Sequence, residues 1–312
     1  MKKIVYLVLS LTLSQITLST QTSNRYTYTT QSMGTTWSLT FYCDDQIKAN
    51  NLAKECWAML DSLNMIFSDY DEKSELSMLS STAGSGHWIK VSSPLWEVLT
   101  FSDALSRKSR GSFDVTIGPL SKIWRRAIRR QEFPDHNLLT TAKEKVGFQY
   151  INFDLKKQSV RLQKEGMRLD MGGIAKGYAI KALFSRLTES GVSSAIVDGG
   201  GDMMIGDIKP DGSTWSIKVE GLAQDIALSQ VAIACSGSSY RSLAYQDQTY
   251  AHIIDPTTGL GVKNLSSLCV LADDPMIADA LASTLSVLGD LEADILDDYG
   301  ARLLFTNQSS LR

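Results

Sequence analysis

A chain of 312 residues with 43% hydrophobic and 21% charged side chains has globular composition, which excludes a disordered tail, a collagen-like rod and a polytopic membrane protein. Its formal net charge of −3 gives no basic field to recruit nucleic acid. Length alone suggests about two domains of roughly 150 residues, although α+β enzymes of this size also fold as one unit.

Residues 1–20 read as an export signal. Lys2 and Lys3 give a positive start, an apolar run covers 4–13, and small or polar residues follow where a signal peptidase would cut. The run is about half the ~20 residues that a spanning helix needs. The expectation is a mature domain over 21–312 without an integral membrane span, located in the periplasm of a Gram-negative cell. No cysteine stands before Cys43, which speaks against a lipid anchor.

Beyond the signal, 26–42 reads as extended, broken by Met33-Gly34. Helical spacing over 46–66 puts Leu52, Cys56, Met59, Leu60 and Leu63 on one stripe. A second helix opens at Ser93-Pro94 and is closed by Gly111, with Leu95, Val98, Leu99 and Leu105 as its buried face. A third covers 120–130, where Lys122, Arg125, Arg126, Arg129 and Arg130 read as a solvated basic face, and 131–141 reads as a polar linker. Strands are expected at 160–162, 167–169, 195–197, 203–205, 215–219 and 231–234, and helices at 175–188 and from Asp274-Pro275 to Gly289. These elements do not alternate as βαβ units, so the fold class is α+β: mixed, largely antiparallel sheets with packed helices. The cysteines, Cys43, Cys56, Cys235 and Cys269, have no metal-ligand spacing and read mainly as buried thiols.

Five short segments carry candidate chemistry. Asp170-Met171-Gly172-Gly173-Ile174-Ala175-Lys176-Gly177 joins a strand to a helix, where free N–H groups and a lysine could meet a phosphate. A structural turn explains it equally well. Asp198-Gly199-Gly200-Gly201-Asp202 reads either as a backbone nest for an anion or as a plain strand-to-strand loop. Phe113-Asp114-Val115 follows a helix end and could be only a turn. His252-Ile253-Ile254-Asp255-Pro256 holds one of three histidines beside a turn signal. Asp279 and Ser283 lie four apart, so they share a helix face and could offer oxygen ligands to Mg²⁺. Ser286 and Asp290 extend that stripe, which also fits the wet side of an amphipathic helix.

Taken in chain order, together with Met33-Gly34-Thr35, Ser68-Asp69-Tyr70 and Ser74-Glu75-Leu76-Ser77, these motifs resemble the ApbE family of FAD:protein FMN transferases. The resemblance implies an ApbE-like, T-fold-like α+β architecture, FAD as substrate and Mg²⁺ as cofactor. By motif match it implies that Met33, Tyr70, Phe113, Asp114, Val115, Asp170, Lys176 and Ile253 line the FAD site. The Gly173 carbonyl, Asp279 and Ser283 would hold the metal, and His252 would be the base. The implied reaction joins FMN through its phosphate to a threonine or serine of an acceptor flavoprotein, such as a membrane redox-pump subunit or a secreted flavoprotein, and releases AMP. Two features depart from the family pattern: serine stands at 283 where threonine is usual, leaving Thr284 as a competing ligand, and Cys235-Ser236-Gly237 replaces Thr-Ser-Gly. The spacing of Ser238-Ser239-Tyr240-Arg241 also differs. A Mg²⁺-dependent FAD pyrophosphatase and a non-catalytic periplasmic FAD-binding protein are the alternatives on the same residues.

Overall fold

The computed structural model describes residues 23–220, 222–237, 242–263, 267–289 and 294–306. The expected signal segment and the Ser238–Arg241 stretch lie outside them.

Strands β1 (Asn24–Ser32) and β2 (Thr35–Cys43) form a hairpin. Met33 and Gly34 both have positive φ, 48° and 74°, the twist that suits a two-residue hairpin loop. Helix α1 (Gln46–Phe67) starts at Asp45, whose carboxylate accepts from Ile47 N–H at 2.8 Å. Its Leu52, Cys56, Leu60 and Leu63 are buried as their spacing predicts, each leucine contributing about 1.5–3 kcal/mol. Next come α2 (Glu75–Ser81), β3 (Ile89–Lys90), α3 (Ser93–Lys108), α4 (Gly118–Arg130) and α5 (His136–Lys143). Helix α5 replaces the expected linker: Asp135 caps it, and Leu139 and Ala142 are buried in the same apolar cluster as the inner face of α4. Two buried apolar positions in eight residues are too few to register as a period.

Strands β4 (Ile151–Asp154) and β5 (Ser159–Leu162) join β3 in a small sheet. The strand expected at 167–169 is only a single bridge between Ile117 and Arg168, because this stretch has no second partner to pair with among the described residues. Helix α6 (Ala175–Glu189) leads to β6 (Ala195–Gly199), β7 (Asp202–Ile205), β8 (Trp215–Ile217), β9 (Ile226–Leu228) and β10 (Val231–Ser236). A second small sheet contains β11 (Ser242–Tyr245), β12 (Gln248–Ile254) and β13 (Gly261–Lys263), and the chain then adds β14 (Leu268–Ala272), α7 (Pro275–Leu288), α8 (Asp294–Asp297) and β15 (Arg302–Thr306).

The central sheet has the order β1-β2-β6-β7-β10-β14-β15, with every neighbouring pair antiparallel. Helices α1, α6 and α7 pack into one core with Ala232, Ala234, Val270 and Ala272 of the sheet. Trp215 and Ile217 pack with Ile205, Ile233 and Leu271 from its other side. A third cluster ties α4 to the small sheet: Trp124 packs 5.6 Å from the Tyr250 ring and donates from its indole to the Gly259 carbonyl at 2.9 Å. The α+β expectation holds, with antiparallel pairing throughout the named sheets.

The reading of the cysteines needs correction. Cys43 and Cys56 are free and buried, but Cys235 and Cys269 face each other across β10 and β14 and form a disulfide. Their sequence separation of 34 hides a pairing that only the strand register creates. Burial pushes the Cys56 thiol up to about 11 and keeps it protonated. Alkylation of the unfolded, unreduced protein should therefore label Cys43 and Cys56 only, and all four after reduction, as read by intact mass. Four labels without reductant would contradict the pairing.

Candidate active site

Helices α6 and α7 meet at Gly177. A Cβ there would stand 2.3 Å from the Pro275 carbonyl oxygen, so only glycine permits the crossing. The same contact brings the Gly177 N–H to Asp279, whose Oδ2 accepts it at 2.9 Å. Asp279 is 5% exposed and Ser286 only 3%, which overturns the wet-side reading of this stripe. Ser283, one turn beyond Asp279, abuts the loop before α6: a Cβ on Gly173 would lie 2.7 Å from its Oγ. Thr284 is fully buried, and its hydroxyl donates to the Ala280 carbonyl at 2.7 Å.

Lys176, in the first turn of α6, ion-pairs with Asp202 and stands 3.8 Å from Asp279 Oδ1. The other Asp202 oxygen accepts from the Cys235 N–H at 3.1 Å. Burial raises the Asp279 pKa to about 6, opposed by the Lys176 ammonium. Burial alone would lower the Lys176 pKa, yet Asp202 and Asp279 hold it above the ordinary lysine value. Among the described residues no three His, Cys, Asp or Glu side chains form a metal cluster. The oxygen groups that meet here are the Asp279 carboxylate and the Ser283 hydroxyl, beside the Gly173 backbone. This hard-oxygen set with a single charge fits Mg²⁺, which commonly takes one or two carboxylates and completes its shell with water and substrate phosphates.

A second group of charges lies where the 113–118 and 168–173 segments run side by side. Gly118 N–H donates to the Arg168 carbonyl at 3.1 Å, and Asp170 N–H to the Val115 carbonyl at 2.8 Å. Phe113 is buried close to Gly173. Asp114 is buried too, and its carboxylate accepts from Thr116 N–H at 2.8 Å, Thr116 Oγ1 at 2.7 Å and Phe148 N–H at 2.9 Å. Burial still holds its pKa above the usual carboxylate value. Asp170 accepts from Gly172 N–H at 2.8 Å and from Arg125 at 2.6 Å, and Arg125 also pairs with Asp69. The Arg125 guanidinium lies 4.4 Å from the Tyr70 ring centre. The solvated basic face therefore holds for Lys122, Arg126, Arg129 and Arg130 but not for Arg125.

Met33 sits at the β1–β2 tip, beside the β6–β7 tip, where Gly200 lies against Thr35. There Gly200 and Gly201 have φ of 73° and 99° between two paired strands. The triple glycine is thus a strand-to-strand loop, and its chemical contribution is the flanking Asp202. His252 is exposed and Ile253 half-buried on β12, which packs against α4 and α7. Asp255 closes the following turn by accepting from Thr257 N–H at 2.8 Å and Thr258 Oγ1 at 2.9 Å. Of the residues singled out from sequence, the structure brings Gly173, Lys176, Asp279 and Ser283 together and aligns Phe113 to Val115 with Asp170. Asp69, Arg125 and Asp202 were not in that set. Asp69 and Asp202 lay inside quoted motifs, whereas nothing local marked Arg125.

The chain thus defines an α+β protein with a carboxylate–hydroxyl–lysine cluster between the start of α6 and the inner face of α7, flanked by an arginine-bridged acid pair. It belongs to the ApbE family, whose model matches residues 33–300. The FAD:protein FMN transferase of Haemophilus influenzae is 28% identical over 278 residues, 84% of this chain and 80% of that one. The FAD:protein FMN transferase of Vibrio cholerae serotype O1 is 30% identical over 270 residues, covering 83% and 80% of the two chains. Among solved structures, the flavin transferase ApbE from Vibrio cholerae superposes with a TM-score of 0.80 at 25% identity, covering 90% of this chain and 93% of that one. The ApbE protein of Thermotoga maritima gives 0.79 at 26% identity, with 90% and 93% covered.

Proposed function

We propose that this protein is an FAD:protein FMN transferase, cleaving FAD and joining FMN through its phosphate to a threonine or serine of an acceptor protein. The observation that carries the reading is the meeting of Asp279, Ser283 and the Gly173 segment with Lys176 at the start of α6. It stands in a chain whose relatives bear that activity as their name. Asp279, Ser283 and the Gly173 carbonyl would hold Mg²⁺; Thr284 has its hydroxyl committed within its own helix. The ion, when bound, supplies charge neutralisation at the pyrophosphate oxygens.

The protein's own groups do the rest. Lys176, fixed by Asp202, offers positive charge to a phosphate. Tyr70, Phe113, Val115, Asp170, Met33 and Ile253 form the walls of the FAD site, and Asp114 contributes by shaping its loop. The acceptor hydroxyl oxygen bonds to the flavin-side phosphorus, the bond from that phosphorus to the bridging oxygen breaks, and AMP leaves with that oxygen. His252 takes the hydroxyl proton. Residues 1–20 would direct export and 21–312 form the transferase domain, so that the acceptor is a periplasmic or membrane-attached flavoprotein. Among the described residues no helix is long and apolar enough to cross a membrane.

Incubation with FAD, Mg²⁺ and extracted exported proteins tests this. FMN-labelled protein and an equal amount of AMP are the expected products, and FMN or riboflavin as donor should give no label. Free FMN with AMP and no label would make the protein a pyrophosphatase, and intact bound FAD a carrier. Labelling from FMN alone would sink the phosphoryl-transfer reading.

A further inference from the structure

We propose that Arg125 is a positioning residue of the nucleotide site, holding Asp170 and the Tyr70 ring in the arrangement that receives FAD. The inference rests on the transferase reading above and extends it to a side chain outside the matched motifs.

The guanidinium is committed on three sides. One terminal nitrogen pairs with Asp69, the other donates to Asp170 Oδ2 at 2.6 Å, and the flat face lies against Tyr70 at 4.4 Å. With both carboxylates occupying its fork, Arg125 acts through its neighbours and not on substrate directly. Asp69 and Asp170 are only 7% and 8% exposed. Burial, and then the negative charge of Asp170, raise the Asp69 pKa, while Arg125 and Arg168 oppose them. Arg168 also donates to the Asp69 carbonyl oxygen, pinning the backbone just before Tyr70. Removing Arg125 would leave two acids repelling each other in a covered site, and Asp170 begins the loop that carries Gly173.

Tyr70 supplies the second half of the argument. It is 73% exposed, so the ring is open to a ligand. One face rests on the guanidinium, which leaves the other as a stacking platform for a flat heterocycle. Both planar groups of FAD are of that kind. Lysine could pair with the carboxylates but has no planar face to lie on the ring, so it could not reproduce the arrangement.

The test compares Arg125→Met, Arg125→Lys, Tyr70→Leu and the Arg125→Met/Tyr70→Leu double variant with the wild type. FAD dissociation constants, KM and kcat with saturating FAD, and melting temperatures are measured on each preparation. Arg125→Met should weaken FAD binding by about 10–100-fold, the scale of one charged hydrogen bond. The loss should fall on KM and FAD affinity more heavily than on kcat, since Arg125 does not itself touch Asp279, Lys176 or His252. Arg125→Lys should recover melting temperature more than FAD affinity, and it carries the same comparison if the methionine variant does not fold. The double variant should lose less than the product of the two single losses, because both act on one platform. A lowered melting temperature with unchanged FAD affinity would make Arg125 a structural brace and overturn the proposal, as would fully independent losses in the double variant. Wild-type protein that binds no FAD would sink the transferase reading and this inference with it, a result distinct from normal wild-type binding with unaffected variants.

Discussion

Asp279→Ala is expected to lower turnover by on the order of 10³-fold, because a lost charge interaction of several kcal/mol costs a factor of ten for each ~1.4 kcal/mol. The carboxylate is 5% exposed, and burial has already raised its pKa to about 6. Such a group is costly to keep charged, and Lys176 at 3.8 Å offsets part of that cost. Alanine also removes the acceptor for Gly177 N–H, an effect of about 1–3 kcal/mol on stability that must be separated from catalysis. Asp279→Asn does so, because its amide oxygen can still accept from Gly177 while the charge is gone. The asparagine variant should melt near the wild type and be nearly as inactive as the alanine variant. Lys176 remains paired with Asp202 in both, so the start of α6 stays anchored. Wild-type activity of the asparagine variant at limiting Mg²⁺ would show that the charge at 279 is not used.

His252→Ala is expected to lower transfer by about 10²–10⁴-fold, the range for loss of a general base, with little change in FAD affinity or melting temperature. Exposure of His252 on β12 supports the second half of that expectation, since its removal opens no cavity. The strand itself is held by other residues: Tyr250 and Ile254 are buried against α4, and Asp255 secures the turn that follows. A histidine whose role was to support the fold would give the opposite pattern, with lowered melting temperature and an unchanged rate. Measuring rate, FAD binding and thermal stability on one preparation distinguishes the two.

Elements with a long, clean period were legible before the structure: α1, α3, α6 and α7 fall where their buried stripes and caps put them. The strands expected at 195–197, 203–205 and 231–234 are β6, β7 and β10 of the central sheet, whereas 167–169 pairs only through a single bridge and β14, a continuous apolar run, was not separated from its surroundings. That Asp279 and Ser283 share one helix face was readable because they are related by one helical turn. Choosing between Ser283 and Thr284 was not, since only the approach of Gly173 and the bond to Ala280 separate adjacent hydroxyls. Arg125 was hidden for a similar reason. Its helix gives it four charged neighbours, and what turns it inward is the arrival of Asp69 and Asp170 from 56 and 45 residues away. The disulfide, too, exists only once β10 and β14 are in register.

Trp124 and Arg125 are consecutive on α4, yet one braces the strand bearing His252 and the other the loop bearing Asp170. Successive residues on a helix point about 100° apart, so a single rigid rod serves both halves of the site. A slide of α4 along its own axis therefore carries both contacts in the same direction. Such a slide is common-mode: the strand bearing His252 and the loop bearing Asp170 are displaced together, and the distance between them changes less than the position of either.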